Sequence, residues 1–261
     1  MKRVWSLLLA VYLPLIITGC MDTAADVTGY ASGPAEIPVE ILGELDAGTR
    51  QALTGDRKYI ALTFDDGPRA DTTGRLLEGL AERNAACTFF MIGEQVRGNE
   101  YLVCRMVADG HQIGSHTYSH TRLTTLSVEN MVEEIHKAET VLREVAGNKS
   151  FWLRPPYGQI DHIRAKEVQT PMIYWSVDPQ DWKLLDTEKV VDAVVSTVQP
   201  GDIILLHDFY STSVDAALQI VDQLQAQGFV FVTVEELFRI QGVEPQSGVL
   251  YANPSRIRPI P

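Results

Sequence analysis

The chain has 261 residues, 45% of them hydrophobic, which is enough to fill the core of one large α/β unit. Its 34 acidic residues outnumber 22 basic ones, for a formal net charge of −12. That balance excludes nucleic acid and anionic membrane surfaces as partners held by charge.

Lys2 and Arg3 precede an apolar run over 4–17 that closes on Thr18, Gly19 and Cys20. A basic start, a short apolar stretch and small residues at its end describe a secretory signal. The run is short for a bilayer span, and Pro14 interrupts it. An uncleaved anchor helix is the alternative. Ile17-Thr18-Gly19-Cys20 also resembles a bacterial lipobox, in which the cysteine becomes the lipidated first residue of the mature chain. Residues 1–19 are therefore expected to be a lipoprotein-type signal peptide, with Cys20 as the lipidation site and the membrane reached only through that anchor. Residues 20–54 hold six acids and Arg50 as the one base, among Gly, Pro, Ala and Thr, and read as an acidic flexible linker.

From residue 57 short apolar runs alternate with helical spacing. Strands are expected over 59–64, 87–91, 151–154, 172–177, 202–206 and 229–232. Helices are expected over 72–83, 98–109, 161–169, 187–198, 213–227 and 234–241, with a long one over 130–146 that starts at Ser127 as N-cap. Strands alternating with helices imply parallel pairing and an α/β architecture over 55–242. Residues 243–261 carry four prolines and are expected to wrap or fray as a tail. Cys87 and Cys104 are expected as two buried small hydrophobes rather than a disulfide pair.

In folds of this class, chemistry collects where strands end. The polar groups there are Asp65 and Asp66 in "TFDDGP", Arg154 and Tyr157 in "RPPYG", Asp181 and Trp182 in "DPQDW", and His207 in "LLHD". "HTYSH" adds His116 and His120 away from any expected strand end. On one helical turn that pair would share a face, about 6 Å apart at Cβ. Two imidazoles and a carboxylate with an open position suit zinc or a similar borderline cation. Alone, the histidine pair is as readily two surface imidazoles. His207 alone is as readily a strand cap, and Arg154, Asp181 and Trp182 an ion-pair residue, a helix-starting acid and core. In a pocket with metal-activated water, His207 becomes a candidate general acid.

Taken in order, these five motifs resemble those of the polysaccharide deacetylase family, the NodB-homology or carbohydrate esterase family 4 enzymes, and the resemblance covers about residues 57–241. It implies a distorted (β/α)7, TIM-like barrel and metal-dependent removal of acetyl groups from polysaccharides. By the same resemblance Asp65 would be the general base, oriented by Arg154, and Asp66, His116 and His120 the metal ligands. His207 would be the general acid, set by Asp181. Tyr157 would offer its backbone N–H to the oxyanion, and Trp182 and Leu205 would line the acetyl pocket. The cation expected is Zn2+, with Co2+ or Ni2+ as substitutes. The substrate expected is a GlcNAc-containing glycan, peptidoglycan first, outside the cytoplasm, with the protein a monomer. A chitooligosaccharide deacetylase, an O-acetyl xylan esterase and a non-catalytic glycan-binding lipoprotein are the other readings. His111 and Asp208 are expected to be structural.

Overall fold

A computed structural model describes residues 57–261. The expected signal peptide, Cys20 and the linker over 20–54 lie outside the described residues. Among the described residues no helix is long and apolar enough to cross a membrane.

Strand β1 (Lys58–Asp65) is the centre of the sheet. It pairs in parallel with β2 (Thr88–Met91) on one edge and β5 (Ile203–His207) on the other, and its start also pairs with β6 (Phe229–Phe231). Beyond β2 comes β3 (Gln112–Ser115), then a parallel bridge from Ser115 to Leu153 and another from Leu153 to Met172 in β4 (Met172–Ile173). The run that begins as β4 reaches β5 through a bridge between Val177 and Ile204. The parallel strands therefore close into an irregular barrel, joined in places by single bridges, as the resemblance implied.

Helices cover the outside: α1 (Thr73–Glu82), α2 (Gly93–Val96), α3 (Glu100–Ala108), α4 (Val128–Ala146), α5 (His162–Ala165), α6 (Asp181–Leu184), α7 (Thr187–Val195), α8 (Ser211–Ala226) and α9 (Val234–Gln241). The α4 helix starts where Ser127 accepts a hydrogen bond from the Asn130 N–H, as its sequence predicts. Its buried residues, Met131, Ile135, Ala138, Val141, Leu142, Val145 and Ala146, form one stripe at three- and four-residue steps. At α9, Thr233 and Glu236 form a reciprocal capping box.

Strand periodicity divides β1 between two interiors. Ile60, Leu62 and Phe64 pack outward against the helices. Ala61 joins Phe90, Trp152 and Ile203 in a second cluster, and Thr63 and Asp65 turn the same way as Ala61. β5 repeats the pattern: Ile204 and Leu206 face the helices, whereas Ile203, Leu205 and His207 face inward. Strands buried on both faces explain why both segments read as unbroken apolar runs.

Several expectations are corrected. The 151–154 segment makes only the two single bridges at Leu153, and the helix expected over 161–169 is the single turn α5, capped by Asp161. β3 was not expected at all. Gly114 makes it possible, because a Cβ there would come within 2.4 Å of the Phe90 ring in β2. The 243–261 segment does not fray: β7 (Leu250–Asn253) lies parallel to β4 and turns into β8 (Arg256–Ile257). Cys87 is buried and free and does not pair with Cys104, as expected, but Cys104 is only half-buried against the core.

Candidate active site

Asp65 ends β1, and the parallel register sets it directly opposite His207 at the end of β5. Arg154 is wholly buried and fixes that carboxylate: its Nη1 donates to Asp65 Oδ1 at 2.7 Å and to Thr63 Oγ1 at 2.8 Å. Its Nη2 and Nε donate to the carbonyls of Tyr174 and Ile173 at 2.9 and 3.3 Å, and the guanidinium lies 4.1 Å from the centre of the Phe90 ring. With Oδ1 held, Oδ2 faces His116 Nε2 at 3.7 Å. Burial pushes the Asp65 carboxyl above its ordinary range, against the opposing pull of Arg154 and His207.

Asp66 leaves the strand with φ of 73°, ahead of a cis Gly67–Pro68 bond, and its carboxylate faces the same His116 Nε2 as that of Asp65. His116 follows β3, and Thr117 and His120 both take positive φ in the loop beyond it. The expectation that His116 and His120 share a helical turn is therefore wrong. They come together through a strand end and a strained loop, with ring centres 4.9 Å apart. Asp66 Oδ1 lies 3.5 Å from His116 Nε2 and 3.4 Å from His120 Nε2. The three side chains offer ligand atoms that all lie within 4.8 Å of one another.

The donor set fits a cation. His116 Nδ1 lies 2.7 Å from the Arg154 carbonyl, which only accepts, so Nδ1 carries the proton and the Nε2 lone pair faces the site. Burial drives its pKa down to about 3, keeping the ring neutral. Asp66 Oδ1 is buried and has no hydrogen-bond donor. A carboxylate oxygen without a donor and the His116 lone pair, with His120 Nε2 beside them, are what a divalent cation satisfies.

Across the cleft, Asp181 is wholly buried at the start of α6, behind Gln180 with φ of 57°. It accepts from the His207 backbone N–H and pairs with His207 Nδ1, both at 2.8 Å. Burial opposes charge on His207, but Asp181, helped by Asp65 and Asp66, raises its pKa to about 9.

These groups line an open cleft of about 410 Å³ at the strand ends. Asp65, Asp66, His116, His120, Tyr157, Trp182, Leu205 and His207 all reach it, and Arg154 and Asp181 support it from behind. Tyr157 has φ of 60°, and its ring lies 4.8 Å from that of His120. Positive φ at Asp66, Thr117, His120, Tyr157 and Gln180 places backbone strain around one cleft, as functional sites commonly do. Sequence reasoning missed Trp175, Phe209 and Tyr210 in the lining, although the last two directly follow "LLHD". His111 accepts from the Cys87 N–H and Asp208 from Thr73, so both do structural duty as expected.

Fold and site together define a class: an α/β barrel with a candidate Asp/His2 metal centre between an arginine-bound carboxylate and an aspartate-bound histidine. Comparison with known proteins is specific. The family model for polysaccharide deacetylase matches residues 52–171. A peptidoglycan-N-acetylglucosamine deacetylase of Bacillus cereus is 38% identical over 195 residues, 72% of this chain and 91% of that protein. The peptidoglycan-N-acetylmuramic acid deacetylase PdaC of Bacillus subtilis is 37% identical over 191 residues, 73% of this chain. The chain spans only 41% of the length of that relative. A family 4 acetyl xylan esterase from Clostridium thermocellum, solved with a cobalt ion, matches with a TM-score of 0.72 at 30% identity, over 75% of this chain and 98% of that one. The chain belongs to the polysaccharide deacetylase family.

Proposed function

We propose that the chain is a metal-dependent polysaccharide N-deacetylase that acts outside the cytoplasm on N-acetylglucosamine units of peptidoglycan and releases acetate. The carrying observation is the convergence of Asp66, His116 and His120 on one point, with Asp65 and His207 facing the same cleft. Export and lipid anchoring rest on Lys2, Arg3 and the stretch ending at Cys20.

Asp66, His116 and His120 would hold the cation, Zn2+ first, with Co2+ or Ni2+ as substitutes. Bound there, it would supply Lewis-acid polarisation of the acetyl carbonyl and acidify a water. Every other role falls to the protein. Asp65 Oδ2 takes a proton from the attacking water while Arg154 anchors Oδ1. The Tyr157 N–H meets the developing oxyanion, a contact worth about 3 kcal/mol in comparable sites. His207 holds a proton on Nδ1 towards Asp181 and delivers the one on Nε2 to the departing amine. Leu205 and Trp182 give the acetyl methyl an apolar wall.

O-acetyl ester hydrolysis is the second reading, favoured by the likeness to an acetyl xylan esterase. The likeness to a peptidoglycan-N-acetylglucosamine deacetylase, 38% identical over 72% of this chain, supports the amide instead. The test is acetate release by metal-loaded protein from peptidoglycan, chitin oligomers and acetylated xylan. Asp65→Asn is expected to keep the metal and lose turnover, and His116→Ala to lose both. Normal turnover by Asp65→Asn would defeat the mechanism, and no release from any polymer would leave the non-catalytic glycan-binding reading standing.

A further inference from the structure

A second groove of about 340 Å³ adjoins the catalytic cleft and shares Trp175 and Asp178 with it. Its far side is built from the segment after residue 242, beyond the five motifs and beyond the matched family model. β7 runs parallel to β4, pairing Leu250 with Met172 and Tyr251 with Ile173. A parallel neighbour leaves the barrel at the same end as the strand whose continuation carries Tyr174 and Trp175. The β7–β8 hairpin therefore delivers Arg256 and Arg258 to the catalytic face.

The groove has a distinct chemistry. Tyr174 and Trp175 stack with ring centres 3.8 Å apart and planes 13° from parallel, and the Arg258 guanidinium lies 4.2 Å from the Tyr174 ring centre. Both arginines are exposed, and among the described residues neither guanidinium forms an ion pair. Two unpaired guanidiniums beside a cleft are unexpected in a chain with net charge −12. Asp178 spends part of its carboxylate on the Gln180 N–H at 2.8 Å and stands on the border with the cleft. Aromatic rings, one carboxylate for sugar hydroxyls and two forked cations for an acid fit a saccharide unit that carries a carboxylate.

We propose that this groove is a subsite for the neighbouring unit of the glycan strand, selecting strands whose adjacent sugar bears a carboxylate over neutral polymers. The inference rests on the deacetylase reading for the direction of the strand. Arg256 and Arg258 take the carboxylate, the Trp175 side of the groove takes the sugar, and the acetamide to be cleaved lies in the cleft.

The test compares a GlcNAc–MurNAc tetrasaccharide with free lactyl carboxylates against chitotetraose, by titration calorimetry and by acetate release. Wild-type protein is expected to prefer the acidic strand, and the preference to fall as salt rises. Arg256→Gln and Arg258→Gln together are expected to lower the ratio of affinities, acidic over neutral, by about tenfold. Arg256→Gln alone, which leaves the stack on Tyr174 intact, is expected to give part of that loss. Equal affinity of wild-type protein for the two oligosaccharides, or an unchanged ratio in the double variant, overturns the subsite. Because calorimetry needs no turnover, binding selectivity without acetate release would sink the catalytic reading and leave the subsite standing.

Discussion

Replacing Arg154 by methionine tests the central support of the site. The side chain is wholly buried, and Asp65, 3% exposed, is its partner at 2.7 Å. Removing one member of a buried ion pair costs about 3–5 kcal/mol, because the other charge is left without compensation. The Ile173 and Tyr174 carbonyls lose donors as well, at roughly 1 kcal/mol each. Thr63 keeps its own bond to the Ile204 carbonyl at 2.7 Å, and methionine keeps part of the packing on Phe90. A loss of about 5 kcal/mol is expected, a large share of the 5–15 kcal/mol that holds a typical domain. Urea unfolding reads it as a midpoint lowered by about 2 M at the slopes usual for small proteins. The deficit depends on pH with a definite sign. A buried carboxyl with a raised pKa contributes its stability below the ordinary carboxylate value and loses it as pH rises through the raised value. Without Arg154 the rise is larger, so the variant is closest to wild type in acid and falls further behind towards neutrality. Asp65→Asn added to Arg154→Met removes the stranded charge and is expected to recover about half the loss, measurable even where the single variant does not fold at neutral pH. A midpoint within 0.5 M of wild type, or no recovery in the double variant, would refute the reasoning.

The remaining predictions concern neighbouring groups. Asp181→Asn removes the partner that raises His207 to about 9, so the alkaline limb of kcat/KM against pH moves down by at least about one unit. The stability His207 contributes is present below its ordinary value and lost as pH rises through about 9. Asp181→Asn therefore flattens the fall in stability between pH 7 and 9. An alkaline limb that does not move would show that another group sets it. Gly67→Ala would put a Cβ 2.4 Å from Asp208 Oδ2, and is expected to cost about 1–3 kcal/mol in thermal unfolding. Paired with Asp208→Ala, that cost should shrink below the sum of the single effects. Burial raises Asp208 to about 7, so its contribution is lost as pH rises from 4 to 7. Asp208→Asn should remove this slope, and an unchanged slope would place the titration elsewhere.

The local sequence determined much of this protein. The unbroken apolar runs over 59–64 and 203–207 marked two strands buried on both sides, with Asp65 and His207 at their ends. Ser127 announced its helix for an equally local reason, since a cap is satisfied within three residues, and the structure shows Thr233 doing the same at α9. The residues the motifs picked out each reach the candidate cleft or support it. What only the tertiary structure decided is how they meet. Register across β1 and β5 sets Asp65 opposite His207, over a separation of more than a hundred residues that no local period records. The histidine pair comes from the unforeseen β3 and a loop of positive φ, because pairing with β2 outweighs the weak local preference of Gln112–Ser115. The hairpin after residue 242 reaches the catalytic face for the same reason. Its place was set by the exposed edge of β4, which supplied partners for the backbone of Leu250 and Tyr251 that their own neighbours could not.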